Sequence, residues 1–465
     1  MVAFGRPQLD DSIVKIVKLE GAAADDQFSL FKKLYSAYDR VFILESLIGP
    51  KELAEMSVIG FDPDVTVVCD SKTFAVTNRK GRTRKQKVTE PLEQLKKLVP
   101  KVKDKRFRYI GGAVGYISYD ATRFWEHLPI RKKASGFPLM EFGIYTDGIL
   151  YNHKEKQAYY FYISGKSRLL EIEEKLALAS KSSSSSVFTH TEPRRNMTRQ
   201  HFVRMVKKAK KYVYDGDVFQ VVLAKSMKFE VKGDLLKVYE ALREVNPSPY
   251  MYLLKAGRRC IMGSSPEMLI RVTNDYIETF PIAGTRPIVV DEAKNEELRQ
   301  DLLGDEKELA EHTMLVDLAR NDIGRVCEFG TVKVDELMTV KRFSHVQHIV
   351  SHVTGRLEKS YDSYDALRAV FPAGTVSGAP KVRAMEVIDE LEPDLRGPYA
   401  GALGYFSFNG SSDFAITIRS LFVNNNKAYL QSGAGIVMDS DPEKEWDETE
   451  HKAGAMISAL KKASR

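Results

Sequence analysis

The segments FQVVLA (219–224), YMYLLK (250–255), MLIRV (268–272) and YIETF (276–280) follow one another as candidate strands, ahead of candidate helices at 291–303 and 305–320. Each strand is a short run of β-branched, aromatic and aliphatic residues bounded by turn formers. Strands clustered apart from helices predict an α+β body and not alternating βαβ units. A helix at 198–214 precedes this block, with Thr198 as its N-cap and Gly216 past its end. Toward the N-terminus, VFILES (41–46), VTVVC (65–69) and QAYYFYI (157–163) alternate with candidate helices near 27–38, 91–99 and 167–180. Between the two stretches lies KSSSSS (181–186), followed by the polar TEPRRN (191–196). Such serine runs carry too little apolar surface to pack, which places a boundary there and divides the chain into 1–190 and 191–465. One internal echo crosses that boundary: GGAVGYISY (111–119) and AGALGYFSF (400–408) agree at five of nine positions. Glycines inside strands suggest close backbone approach. The echo fits either two related sheets, one per half, or chance.

Composition narrows the class. With 43% hydrophobic and 29% charged residues the 465-residue chain is ordinary for a globular protein, and no run approaches the roughly 18 apolar residues of a membrane span. The start MVAFGRPQLDDS lacks a signal-peptide core. Cys69, Cys260 and Cys327 are odd in number and widely spaced, so free thiols and a cytoplasmic location are expected. The net charge of +7 has its densest cluster in RKGRTRK (79–85), which reads as a solvated hairpin. No aromatic residues interleave with it, and no nucleic-acid motif accompanies it.

Chemistry concentrates in PIAGTR (281–286) and in two acidic helix signals, DEKELAEHTMLVDLARND (305–322) and DPEKEWDETEHKA (441–453). A Gly-Thr turn offers backbone N–H groups and the helices offer hard oxygen ligands, a combination suited to a divalent cation holding an anionic small molecule. Glu445, Glu448 and Lys452 share one helical face, a spacing that by itself more often makes an intrahelical salt bridge; Glu308 and Glu311 share another. One glutamate from each helix suffices for magnesium, which keeps sites for water and substrate. His345 and His348 in FSHVQHI (343–349) are both candidate proton donors or acceptors. Arg419 sits inside the apolar run FAITIRSLFV (414–423), where a guanidinium needs an anion, so it should face a carboxylate. QSGAGIV (431–437) and AGTVSGAPK (373–381) add glycine-flanked backbone but match no phosphate-binding fingerprint.

A series of blocks then carries a family resemblance: GDVFQVVLAK (216–225), NPSPYMYL (246–253), GSSPEML (263–269), PIAGTR, AEHTMLVDLARND (310–322), FPAGTVSGAPK (371–381), GPYAGALGY (397–405), FAITIRS (414–420), QSGAGIV and the final acidic helix. In this order they resemble the chorismate-utilising enzymes, and among them the component I chains of anthranilate synthases. ILES (43–46), SVIGFDP (57–63) and GGAVGYISYDATRFWE (111–126) extend the resemblance into the N-terminal half.

The resemblance implies an α+β body of antiparallel sheets packed face to face with helices outside. Its smaller part, 1–190, would carry a tryptophan-regulatory segment, and its larger part, 191–465, would bind chorismate. Magnesium would be held by Glu311 and Glu448, with Glu445 behind them. Gly284, Thr285 and Thr375 would surround the ring, while Tyr399, Arg419 and the amides of Gly433, Ala434 and Gly435 would hold the enolpyruvyl carboxylate. His348, in preference to His345, would be the general acid for the departing C4 hydroxyl as ammonia attacks C2, before loss of pyruvate.

Related isochorismate and salicylate synthases carry a water-activating lysine where this chain has Gln220, and aminodeoxychorismate synthases commonly carry a nucleophilic lysine where it has Ala283. Both differences favour ammonia attack and anthranilate as product. Ammonia is expected from a separate glutamine amidotransferase subunit, in a hetero-oligomer. Tryptophan as feedback inhibitor would occupy a site at Glu45, Ser46, Pro249, Tyr250 and Met251. Pro287 and His352 depart from the family pattern, where glycine-adjacent arginine and arginine respectively are frequent. The competing readings are an aminodeoxychorismate synthase component and a catalytically silent tryptophan-sensing module.

Overall fold

The computed structural model describes residues 6–7, 13–20, 26–48, 56–128, 136–163, 167–181, 186–343 and 346–465. His345 and residues 182–185 of the serine run lie outside the described residues. Two large antiparallel sheets pack face to face, as expected. One has 13 strands and runs from Val14–Lys18 through Arg40–Glu45, Tyr250–Ala256, Arg259–Ser265 and Lys427–Ile436 to Gln220–Lys232. The other has 12 and runs from Ile282–Pro287 through Val346–Arg356, Tyr276–Thr279, Met268–Thr273 and Ser412–Ile416 to an outer hairpin, Thr73–Asn78 with Thr83–Lys87. Both sheets take strands from either side of residue 190.

The residues between the sheets explain why they pack. Phe42, Tyr252, Ile261 and Phe422 of the first sheet meet Val67, Val114, Phe142 and Phe406 of the second in one buried cluster. Fully burying a side chain of this size contributes roughly 1.5–3 kcal/mol. The opposite face of the first sheet is covered by helices, with Phe31, Leu34, Val238, Leu242 and Leu460 packed on Ile43, Leu253 and Leu421. Helices therefore lie outside. Those expected from the sequence are present at Gln27–Ala37, Pro91–Lys96, Leu169–Lys181, Arg199–Tyr214, Glu292–Gly304, Glu306–Gly324 and Pro442–Ala463. Thr198 caps its helix by accepting from the His201 amide. The three cysteines are free and buried.

The internal echo has a different meaning from two related sheets. Gly112–Ile117 and Ala402–Ser407 are neighbours in the same sheet, with Gly404 directly opposite Gly115. A Cβ at Gly115 would sit 2.0 Å from the Glu141 carbonyl oxygen, and one at Gly404 2.0 Å from that of Asp413. Both strands need glycine at the same crowded level. The cationic segment forms the outermost hairpin, and its Thr83–Lys87 strand is exposed along its length. Charge there guards a sheet edge against further pairing.

Candidate active site

The PIAGTR segment forms a bulged edge strand. Ala283 pairs with Ile349 and Arg286 with Gln347, so Gly284 and Thr285 together oppose His348. Gly284 has φ +66°, and a Cβ there would lie 2.9 Å from Leu302 Cδ1 and 3.2 Å from Glu308 Oε2. Glycine lets the helices approach. His348 Nδ1 is 2.8 Å from the Gly284 carbonyl and 3.1 Å from Thr285 Oγ1. A carbonyl only accepts, so Nδ1 carries the proton and Nε2 keeps a free lone pair. Burial, with the charges of Arg419 and Lys452, pushes the imidazole down to about 4 against the Gly284 bond, so it is neutral at physiological pH.

Both acidic helices begin with aspartate caps, the first of them beside this bulge. Asp305 accepts from the Lys307 and Glu308 amides, and Asp441 from those of Glu443 and Lys444. Arg286, the last residue of PIAGTR, reaches across to Asp301 at 2.6 Å and to the capping Asp305 at 2.9 Å, which ties the bulge to the first helix. Glu308 is pushed up by burial and by neighbouring Glu311 and Asp305. Glu311 accepts from Gln220 Nε2 at 2.7 Å. In the second helix Glu448 pairs with Lys452 at 2.5 Å, the intrahelical bridge anticipated from the spacing, and Lys452 Nζ also donates to the Gly433 carbonyl at 3.1 Å. Lys307 of the first helix acts on Glu445 of the second, so the two helix starts share one space.

That donor set fits magnesium. Among the described residues no three metal-ligating side chains converge tightly enough to hold an ion unaided. Magnesium needs only one or two protein carboxylates and takes the rest from water and substrate. Glu445 supplies the observation in favour: it is 7% exposed, its carboxyl is pushed up by burial, and its Oε2 has no hydrogen-bond partner.

The remaining predicted residues gather around the same space. Arg419 is half-buried at φ +52°, and burial lowers its pKa. Glu448 and Glu267 act on it only at longer range, and among the described residues no carboxylate pairs with it. Tyr399 Oη would lie 3.0 Å from a Cβ at Gly433, while a Cβ at Gly435 would collide with the Gln220 amide, so the glycines bring bare backbone against both side chains. Ala434 is fully buried between them. Ala283 is buried and Gln220 is 3% exposed, with its Oε1 lacking a partner.

Two residues that the sequence reading did not single out belong here. Arg286 is one, through its hold on the helix cap. Glu267 is the other: it lines a cavity with Thr375, Leu315 and Leu318, and burial pushes its carboxyl up to about 8 despite the Thr375 hydroxyl and the charges of Lys452 and Arg419. The signal was present in GSSPEML, where an acid opens an apolar strand, as Arg419 interrupts one.

A second cavity lies between the sheets. Glu45, Ser46, Pro249, Tyr250 and Met251 all line it, together with Arg108, Arg271 and Asp413, around a cavity of about 50 Å³. The Glu45 carboxylate is held from behind by Tyr239 at 2.8 Å and Arg243 at 2.8 Å. Ser46 Oγ is buried without a partner.

Comparison with known proteins places this architecture. The model of the chorismate binding enzyme family matches residues 41–458, and the chain belongs to that family. Within it, the chain is 46% identical to anthranilate synthase component 1 of Methanothermobacter thermautotrophicus, over 100% of this chain and 97% of that protein. It is 43% identical to anthranilate synthase component 1 of Acetivibrio thermocellus, over 98% and 96% of the two chains. The crystal structure of anthranilate synthase component I from Streptococcus pneumoniae superposes with a TM-score of 0.77 at 35% identity, covering 88% of this chain and 94% of that one. The isochorismate synthase MenF from Escherichia coli shares the fold at 20% identity, with a TM-score of 0.70.

Proposed function

We propose that the chain is the large component of an anthranilate synthase, converting chorismate and ammonia to anthranilate, pyruvate and water. The observation that carries this reading is Arg419, a guanidinium with no described carboxylate paired to it, near Tyr399, whose hydroxyl in turn approaches the backbone of Gly433. Its planar fork suits a substrate carboxylate, which would relieve the cost of burying the charge alone. The other carboxylate of chorismate would lie toward Glu311, Glu445 and Glu448, where a bound magnesium ion would neutralise it and orient the ring.

Proton transfer follows from the two shifted groups. Attack of the ammonia lone pair at C2 shifts the ring double bonds and expels the C4 hydroxyl, which needs a proton to leave as water. Glu267, with its carboxyl near 8, still holds one at neutral pH and is the donor in this scheme. His348 takes a different part from the general acid first expected, because its only proton points at Gly284 and its Nε2 can accept. It positions the ring and receives a proton when C2 loses its hydrogen and pyruvate departs.

Gln220 selects the nucleophile. Its amide orientation is fixed because Glu311 only accepts, which leaves Oε1 as an acceptor for an N–H of ammonia. It cannot activate water as a base, and Ala283 cannot form a covalent adduct. Ammonia would come from glutamine through a separate amidotransferase component, and tryptophan would inhibit from the Ser46 cavity. The test is product analysis: chorismate, magnesium and ammonium should give fluorescent anthranilate, whereas 4-amino-4-deoxychorismate would support the sister reaction and no product from folded protein would support a sensor.

A further inference from the structure

The wall of the second cavity continues into a row of charged side chains that crosses the sheet. Asp413, Arg271 and Glu278 lie directly opposite one another on three adjacent strands, and His352 stands diagonally beyond on the next. Arg271 is 2% exposed and divides its donors along the row: Nε to Asp413 at 2.8 Å, Nη1 to Glu278 at 3.3 Å and Nη2 to the Tyr250 hydroxyl at 3.2 Å. Tyr250 itself donates to Asp413 at 2.9 Å. Beyond Arg271, Glu278 Oε2 meets His352 Nε2 at 3.0 Å. Although burial pushes the Glu278 carboxyl up, the His352 hydrogen bond and the Arg271 charge carry it below its ordinary value.

His352 is linked along the chain to both partners of the active-site hydrogen bond without touching either. It lies on the same strand face as His348, four residues along, roughly 13 Å at the usual strand rise. Its ring is stacked on Phe280 at 4.1 Å and 8°, and Phe280 leads through Pro281 and Ile282 into the Gly284 bulge that holds His348.

We propose that the Asp413–Arg271–Glu278–His352 row is a positioning relay, through which occupancy of the Tyr250 cavity sets the placement of His348 against Gly284. The inference rests on the proposed function, in which that cavity takes the effector. A ligand that engages Asp413 or displaces the Tyr250 hydroxyl takes a partner from Arg271. A buried guanidinium tolerates no unpaired donor, so it re-pairs toward Glu278 and changes the hold on His352. Both sites thereby bias one packed element, as a coupling between sites requires.

The experiment uses linkage in place of turnover. L-Tryptophan is titrated calorimetrically into the full chain in ammonia-free buffer with magnesium, with and without saturating chorismate. Chorismate should weaken tryptophan binding by about tenfold or more in the parent chain, and by less than about threefold in Glu278→Gln and in His352→Gln, while His352→Arg, which can still pair with Glu278, keeps the parental factor. If both glutamine variants keep the parental factor, the relay is overturned. Loss of tryptophan binding in both without chorismate also overturns it, since the row would then serve only the cavity. A parent chain that makes anthranilate but shows no linkage overturns the relay alone; a parent that makes none removes the reading on which it rests.

Discussion

Glu267 sits where folding and chemistry make opposite demands on a proton. Its carboxyl is raised from an ordinary 4.5 to about 8 by burial, so the folded state holds a proton that the unfolded chain has released at neutral pH. The stabilising effect of that proton is complete below about pH 4.5 and is lost as pH rises through about 8. Glu267→Gln should therefore melt higher than the parent near pH 9, with the difference vanishing near pH 4. In catalysis the same substitution should lower kcat by about 10²- to 10⁴-fold, and the parental decline in rate above about pH 8 should disappear from what remains. An unchanged kcat would remove Glu267 from the mechanism. Ser46→Phe belongs to the same scale: the new ring fills the cavity beside the orphaned hydroxyl, so ammonia-dependent activity should persist while tryptophan inhibition is lost. Parental sensitivity in that variant would take the inhibitor out of this cavity. Most of these residues were legible in the sequence because charge inside apolar runs and glycine-flanked turns have few structural uses. Glu267 escaped because its shift comes from burial, and burial arises from Thr375 and Leu315, far away along the chain.

Among the elements, the edge strand Ile282–Pro287 and the helix Glu306–Gly324 act as a unit joined by Arg286. Arg286→Ala should loosen the capping Asp305 and the carboxylates behind it, raising the magnesium concentration for half-maximal activity by about tenfold. An unchanged requirement would mean that the helix cap holds without it. The paired glycine strands make a separate demand. Gly404→Ala would drive a Cβ to within 2.0 Å of the Asp413 carbonyl, and the strand cannot yield without breaking its pairing with Gly112–Ile117. A cost of about 3 kcal/mol, read from the urea midpoint, is expected. Helix and strand positions followed from periodicity and caps, down to Thr198. The pairing of Gly115 with Gly404 did not, because register between strands nearly three hundred residues apart is set by tertiary packing and leaves only a composition trace.

Across the whole molecule, the sandwich keeps two sites apart and joins them. The Ser46 cavity opens between the sheets, while His348, Glu267 and Arg419 gather near one end of the second sheet, close to the starts of two acidic helices. No described helix is long and apolar enough to cross a membrane. The fold class was readable because strands and helices cluster in sequence. The joint construction of each sheet from both sides of residue 190 was not, since a serine run marks where chain fails to pack and says nothing about which strands meet. The central claim is that this geometry alone makes anthranilate once ammonia is supplied. The decisive measurement is fluorescence of the purified chain with chorismate, magnesium and ammonium at mildly alkaline pH, without an amidotransferase. Anthranilate accumulating in step with chorismate loss is the expected result; folded protein that consumes no chorismate, or converts it to another amino isomer, would contradict it.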